Sequence, residues 1–193
     1  MKIAFLGTHG VGKTALCYDV SGYLQRKGIY VELVLETARE AYSAGFKLNE
    51  GTSKEAQEWI LFRQIQKEIE AKNRINGNKK ALIICDRSLL DNYAYYVNKF
   101  GRNPEIEGLI KERMMGYDFL FLVPVFYSDN GIEDDKIRST NKEFQFAILR
   151  VVDELIKDFK LEVIKLPLPS SEDDNMNNKL WVEYVAEKVF SKL

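Results

Sequence analysis

Gly7-Thr8-His9-Gly10-Val11-Gly12-Lys13-Thr14 is a complete match to the G-x-x-x-x-G-K-[ST] phosphate loop. Its flanks agree with it. The apolar run Ile3-Ala4-Phe5-Leu6 before the octet reads as a buried strand. From Thr14 onward Leu16, Val20 and Leu24 recur at i, i+4 and i+8, the spacing of a helix face. A glycine-rich turn between a strand and a helix directs its backbone N–H groups inward around a β-phosphate, and the helix N-terminus adds partial positive charge. Within that loop Lys13 is expected to bridge β- and γ-phosphates, and the Thr14 hydroxyl to ligate Mg²⁺. Gly7, Thr8, His9, Gly10, Val11, Gly12, Lys13 and Thr14 are therefore the expected nucleotide-binding residues. His9 holds a variable position of the motif, among backbone amides and phosphates, and is not assigned a role as base.

Composition bounds the remainder. The 193 residues are 46% hydrophobic, enough for one core, and one domain over residues 1–193 is the default expectation. The formal net charge is −1, so no global basic field recruits nucleic acid or an anionic membrane. Met1-Lys2 leads directly into the first strand and no run of about 18 apolar residues occurs, so a cytoplasmic location and no membrane partner are expected. Cys17 and Cys85 are isolated and are expected as buried thiols without chemistry. Oligomeric state is not legible.

Strand-like and helix-like segments alternate along the chain. Strands are predicted at 31–35, ending at Glu36; at 81–85, unbroken in apolarity and ending at Asp86; at 119–123; and at 161–166. Helices are predicted from Thr52, with Thr52 and Glu55 as a capping box and Trp59, Phe62, Ile65 and Ile69 as apolar stripe, to Asn76-Gly77; at 89–99; from Asn103-Pro104; from a Thr140/Glu143 capping box to Phe159; and at 180–191. The stretch 167–178, rich in Pro, Ser, Asp and Asn, reads as a mobile connection. The alternation predicts a three-layer α/β P-loop NTPase fold: a five-stranded parallel sheet with right-handed crossovers and helices on both faces.

In such sheets ligands bind beyond the carboxyl ends of the strands, so distant residues converge on one site. Glu36 is a candidate to accept a proton from, or orient, an acceptor hydroxyl, with a surface Glu facing a helix dipole as the alternative. Asp86 closes an apolar strand and needs a partner, either Mg²⁺ through its water shell or the N-terminus of the next helix. Thr14 and Asp86 are thus the expected metal residues. Arg87 presents a planar fork suited to an anionic or hydroxylated acceptor, with Arg39 as a second candidate. Residues 127–139 read as a polar lid whose Arg138, with Lys142, is placed to neutralise the transferring phosphoryl group and help exclude water. The acidic cluster in that stretch lacks EF-hand spacing and reads as solvated surface.

The ordered set of the octet, Glu36-Thr37-Ala38-Arg39, Asp86-Arg87-Ser88 and Arg138 resembles the P-loop nucleoside and nucleotide kinases. That group includes deoxynucleoside kinases, thymidylate kinases and the ribosylnicotinamide kinase domain of the bifunctional NAD-synthesis regulator. The resemblance spans residues 1–166 in order. It implies ATP-dependent phosphoryl transfer to a small acceptor, a nucleoside or nucleotide, with Glu36 by the acceptor hydroxyl, Asp86 and Arg87 on acceptor and metal water, and Arg138 on the phosphates. It also implies that the helix from Thr52 reads the acceptor base through Arg63, Gln64 and Gln66. Asp86 stands where deoxynucleoside kinases carry the Glu of Glu-Arg-Ser, and the acceptor stays open. So does a second class, a regulatory GTPase-like switch. Asn98-Lys99-Phe100-Gly101 and Asn141-Lys142-Glu143-Phe144 lack the Asp of a guanine-selecting Asn-Lys-x-Asp, and the Asp-x-x-Gly from Asp19 to Gly22 falls within the first helix. A polynucleotide kinase would want a basic stripe that the sequence does not carry.

Overall fold

The computed structural model describes residues 1–125, 140–168 and 174–193, with side chains of 174–178 left aside. The strands are β1 (Lys2–Leu6), β2 (Tyr30–Val34), β3 (Ala81–Asp86), β4 (Phe119–Leu122) and β5 (Ile164–Lys165). The helices are α1 (Lys13–Arg26), α2 (Ala38–Ser43), α3 (Lys54–Arg74), α4 (Leu89–Phe100), α5 (Pro104–Met114), α6 (Lys142–Asp158) and α7 (Asp174–Phe190), with a 3₁₀ turn at Asn49–Gly51. All pairings are parallel and the strand order is β2-β3-β1-β4-β5. This is the predicted five-stranded α/β sheet.

Period-two alternation divides the core into two clusters. On one face Ala4, Leu6, Ile83, Cys85, Leu120 and Leu122 pack against Leu61, Leu90, Tyr93, Ile148 and Val152 of α3, α4 and α6. On the other, Ile3, Phe5, Leu82, Ile84 and Phe121 meet Leu16, Val20 and Leu24 of α1 and Trp181, Val185 and Val189 of α7. β1 and β3 lie inside the sheet, so their carboxyl ends are held from both sides. Cys17 and Cys85 are free and buried, and burial pushes both thiols well above their usual range. Among the described residues no helix is long and apolar enough to cross a membrane.

Helix starts differ from the sequence reading in register. Ser53, not Thr52, caps α3 by accepting from the Ala56 N–H. Thr52 instead accepts from Gln57 Nε2 at 2.9 Å. Asn141, not Thr140, caps α6 through the N–H groups of Glu143 and Phe144. Asn103 with Pro104 opens α5 as expected. The predicted stripe of α3 is the larger correction. Phe62 is 55% exposed and Ile69 43%, whereas Gln57, Ile60, Leu61, Gln64 and Glu68 face inward. Those inward polar groups are held by hydrogen bonds: Gln64 Nε2 donates to Glu68 Oε1 at 3.1 Å, and Lys2 Nζ and the Tyr117 hydroxyl also reach Glu68. β5 is two residues long, although Leu166 N–H still bonds the Leu122 carbonyl. Helix α7 already begins at Asp174, inside the stretch read as a mobile connection; residues 169–173 of that stretch lie outside the described residues.

Candidate functional site: two cavities at the carboxyl ends of β1, β2 and β3

The phosphate loop leaves β1 through three left-handed glycines, Gly7 at φ 134°, Gly10 at 75° and Gly12 at 81°. Gly7 is required sterically as well. A Cβ there would stand 3.0 Å from the Val123 carbonyl oxygen. Its N–H donates to Asp91 Oδ1 at 2.7 Å, while Asp91 Oδ2 accepts from the N–H and Oγ of Ser88, each at 2.7 Å. One buried carboxylate thereby joins the exits of β1 and β3. Lys13 is buried and its Nζ donates to the Thr8 carbonyl. Burial first, then the nearby Arg87 cation, lowers its pKa to about 8. A phosphate in the loop would oppose both effects with its negative charge.

Thr14 Oγ1, in the first turn of α1, donates to Asp86 Oδ2 at 2.6 Å. Asp86 is almost wholly buried, and burial together with the charge of Glu36 raises its pKa. Of the two partners considered for Asp86, the helix N-terminus is already taken: Ser88 caps α4, in a capping box with Asp91. A hydroxyl beside a carboxylate that is costly to keep charged is a donor set fitted to a hard cation. No group of three or more metal-ligating side chains exists among the described residues.

Glu36 is not a surface residue on a helix dipole. It pairs with Arg87, Oε1 to Nη2 at 2.6 Å, with the two side chains 9% and 7% exposed. Arg87 itself has φ 80°, a conformation rare outside glycine. Strain of this kind persists only where neighbours enforce it; here Gln64 Nε2 approaches the Arg87 carbonyl at 3.4 Å and Ser88 is locked by its capping box.

Two cavities meet at these residues. One, of about 370 Å³, is lined by His9, Gly10, Val11, Gly12, Lys13, Thr14, Ala15, Glu36, Arg39, Asp86 and Arg87. The other, a narrow cleft of about 30 Å³, is lined by His9, Glu36, Ala38, Leu48, Asn49, Gln57, Ile60, Arg87, Asn92 and Tyr95. They share His9, Glu36 and Arg87. Arg39 thus lies on the loop side. In the smaller cavity, Asn92 Nδ2 and Arg87 Nε are buried with no hydrogen-bond partner, the pattern expected where a polar ligand supplies the missing acceptor.

The base-reading residues expected on α3 do not line that cavity. Gln64 is fully buried and bonded to Glu68, Arg63 pairs with Glu40 at 2.8 Å, and Gln66 faces outward. Gln57 and Ile60 line it instead, along with Asn92 and Tyr95 of α4 and Leu48 and Asn49 ahead of α3, none of which the sequence singled out. The i, i+3 spacing of Asn92 and Tyr95 was the available signal. Lys142 is exposed in the first turn of α6. Arg138 and the lid 127–139 lie outside the described residues.

The profile of a family described as AAA domain matches residues 2–173. The chain belongs to the AAA domain family. No curated protein sequence matches it. Among solved structures, deoxyadenosine kinase from M. mycoides, with dCMP and a flexible dCDP bound, aligns at TM-score 0.65 and 18% identity, covering 99% of this chain and 100% of that one. Thymidylate kinase from Ehrlichia chaffeensis aligns at TM-score 0.62 and 21% identity, covering 97% of each chain. This AAA domain chain therefore shares its fold over nearly its whole length with a nucleoside kinase and a nucleotide kinase, the group its motifs resemble.

Proposed function

We propose that the protein is a phosphotransferase that moves the γ-phosphoryl group of MgATP to a hydroxylated or phosphorylated small acceptor, a nucleoside or a nucleotide. The observation that carries this reading is the pair of cavities joined at Glu36 and Arg87. A switch that hydrolyses its nucleotide needs only the first. A second, polar cavity opening on the γ-phosphate end of the loop is what an acceptor requires.

In this reading the backbone of 7–14 and Lys13 would hold the phosphates of the donor, and Thr14 and Asp86 would hold Mg²⁺, which would supply positive charge against the charge of those phosphates. Glu36 receives or orients the proton of the acceptor hydroxyl. Arg87, kept in place by Glu36 and by the Tyr95 ring 5.0 Å beneath it, offers its unpartnered Nε–H to the acceptor. Arg138 serves the transferring phosphoryl group, as the sequence motif implies. Catalysis is then mostly positioning and electrostatics. The fold likeness to two kinases supports this reading, as does the order of motifs along the chain.

A coupled assay across nucleosides, nucleoside monophosphates and nicotinamide riboside tests it. An ATP turnover that rises with one compound, with stoichiometric formation of its phosphate ester, is the expected result. Slow hydrolysis that no compound stimulates would return the chain to the switch class.

A further inference from the structure

The transfer chemistry leaves one contact between the cavities unused. His9, the sole histidine of the chain, lies in the phosphate loop with Nδ1 2.8 Å from the hydroxyl of Tyr95. Its ring packs between Phe144 of α6 and Tyr95 of α4, with centroids 5.7 Å and 6.2 Å away. The backbone there is pinned as well: Gln145 Nε2 donates to the His9 carbonyl at 2.7 Å, and Thr8 Oγ1 donates to the Gln145 carbonyl at 3.1 Å. Tyr95 turns its ring face to the Arg87 guanidinium, at 5.0 Å, and Arg87 pairs with Glu36 at 2.6 Å. Burial raises the Tyr95 pKa, so at neutral pH its hydroxyl keeps its proton.

These contacts make one continuous chain from the loop that would hold the donor to the carboxylate that would meet the acceptor. A ligand that hydrogen-bonds Glu36 or the Arg87 Nη2 competes with their mutual pair and so bears on the guanidinium over the Tyr95 ring. A nucleotide entering the loop fixes the backbone at His9, to which the same tyrosine is tied. Each ligand thus acts on the orientation of one shared side chain, which is the physical requirement for coupling between sites.

We infer that Tyr95 is a positioning residue that couples the two cavities, so that filling the phosphate loop tightens binding in the acceptor cavity and the reverse. The inference rests on the two-cavity reading of the site. By linkage the two enhancements must be equal, and about 5-fold or more is expected.

The test uses the full chain and two probes, Mg²⁺ with the imido analogue of ATP, and whichever nucleoside or nucleotide of the panel binds by calorimetry. Each is titrated alone and in the presence of the other, in the parent and in Tyr95→Phe, which deletes one oxygen and keeps the ring over which Arg87 lies. In the parent the affinity ratio should be about 5 or more, and the one imidazole signal in the NMR spectrum should move when the acceptor alone is added. In Tyr95→Phe each probe should still bind singly while the ratio falls towards 1 and the imidazole response shrinks. A merely structural role would lower melting temperature or both affinities and leave the ratio untouched. Tyr95→Leu, which removes the ring too, should abolish the ratio if it folds. A parent ratio near 1, or a parent-sized ratio kept in Tyr95→Phe, overturns the coupling while leaving the transferase reading intact. Binding of the ATP analogue with no panel compound bound or phosphorylated overturns both.

Discussion

The phosphate loop and the acceptor cavity are built by opposite means. The loop is a local object: eight consecutive residues, three left-handed glycines and backbone amides, set between a central strand and the helix it feeds. Most of its chemistry is main-chain, so its specificity is for phosphate and not for a base. The acceptor cavity is assembled from seven places, the phosphate loop, the exits of β2 and β3, the start of α2, the turn before α3, α3 itself and α4, and it works through side chains. A site made of backbone tolerates little and reads little; a site made of side chains drawn from distant segments is where discrimination resides.

The largest effect is expected from removing the one side-chain charge the loop depends on. Lys13→Ala should weaken MgATP binding by about 1.5–3 kcal/mol, the worth of a charge-assisted hydrogen bond, and slow transfer by about 10³-fold or more. The fold should survive, because the ammonium costs free energy to bury in the empty site and its pKa is already lowered there. Calorimetry and steady-state rates check it. A variant that binds and turns over ATP like the parent would remove the loop from the comparison altogether.

Glu36→Gln strikes the boundary between the regions. Shape is kept, one charge is lost, and Arg87 is left without its ionic partner. The expected result is a fall of about 10²-fold in kcat with ATP affinity nearly unchanged, since general-base contributions are of that order. An unchanged kcat would reduce the Glu36–Arg87 pair to a structural ion pair.

A smaller effect follows from the pKa of Lys13, about 8 in the empty loop. A bound phosphate raises that pKa, so binding takes up protons wherever the empty form is deprotonated. MgATP affinity should be flat below pH 8 and decline above it, by up to about tenfold per pH unit. Stability of the nucleotide-free protein moves in the other direction. The folded-state pKa lies below the unfolded value of 10.5, so the unfolded chain holds more protons between pH 8 and 10.5 and this residue's contribution to stability rises with pH across that window. Calorimetry of binding in two buffers of different ionisation heat gives the proton uptake directly. Zero uptake at pH 8.5 would place the lysine's pKa well outside that region.

The same contrast explains what the sequence disclosed. That the octet, Glu36, Asp86 and Arg87 would lie together was legible because a parallel sheet sends every strand's carboxyl end to one edge, and apolar strands make their terminal charged residues conspicuous. Asn92, Tyr95 and Gln57 were not, because a cavity wall formed by one or two residues per helix leaves at most a single i, i+3 spacing, that of Asn92 and Tyr95. The turn at Leu48 and Asn49 joins them only through tertiary packing. On α3 the periodicity misled in part: Ile65 packs against the core, but Phe62 and Ile69 stand exposed. Its inner face carries Gln57, Gln64 and Glu68, tied to Thr52, Arg87, Lys2 and Tyr117 across up to 66 residues of sequence, and no hydropathy rule places polar groups inside when their partners lie that far away.

That misreading supplies the smallest and sharpest expected effect. If hydrophobicity had set the inner face of α3, Phe62 would be core, and truncating it would cost about 3–5 kcal/mol. In the structure its side chain stands 55% exposed, so Phe62→Ser should change stability by only about 0.5 kcal/mol or less, part of that being the difference in helix propensity. Gln64→Leu on the opposite face should cost more, though leucine is the more apolar residue, because Glu68 loses a donor inside the protein and the Arg87 carbonyl loses its contact. Denaturant unfolding of the two variants gives the order. Should Phe62→Ser prove the more damaging of the pair, the inner face of α3 would be the one its apolar spacing suggested, and the polar network from Lys2 to Arg87 would lose its place in holding the acceptor cavity.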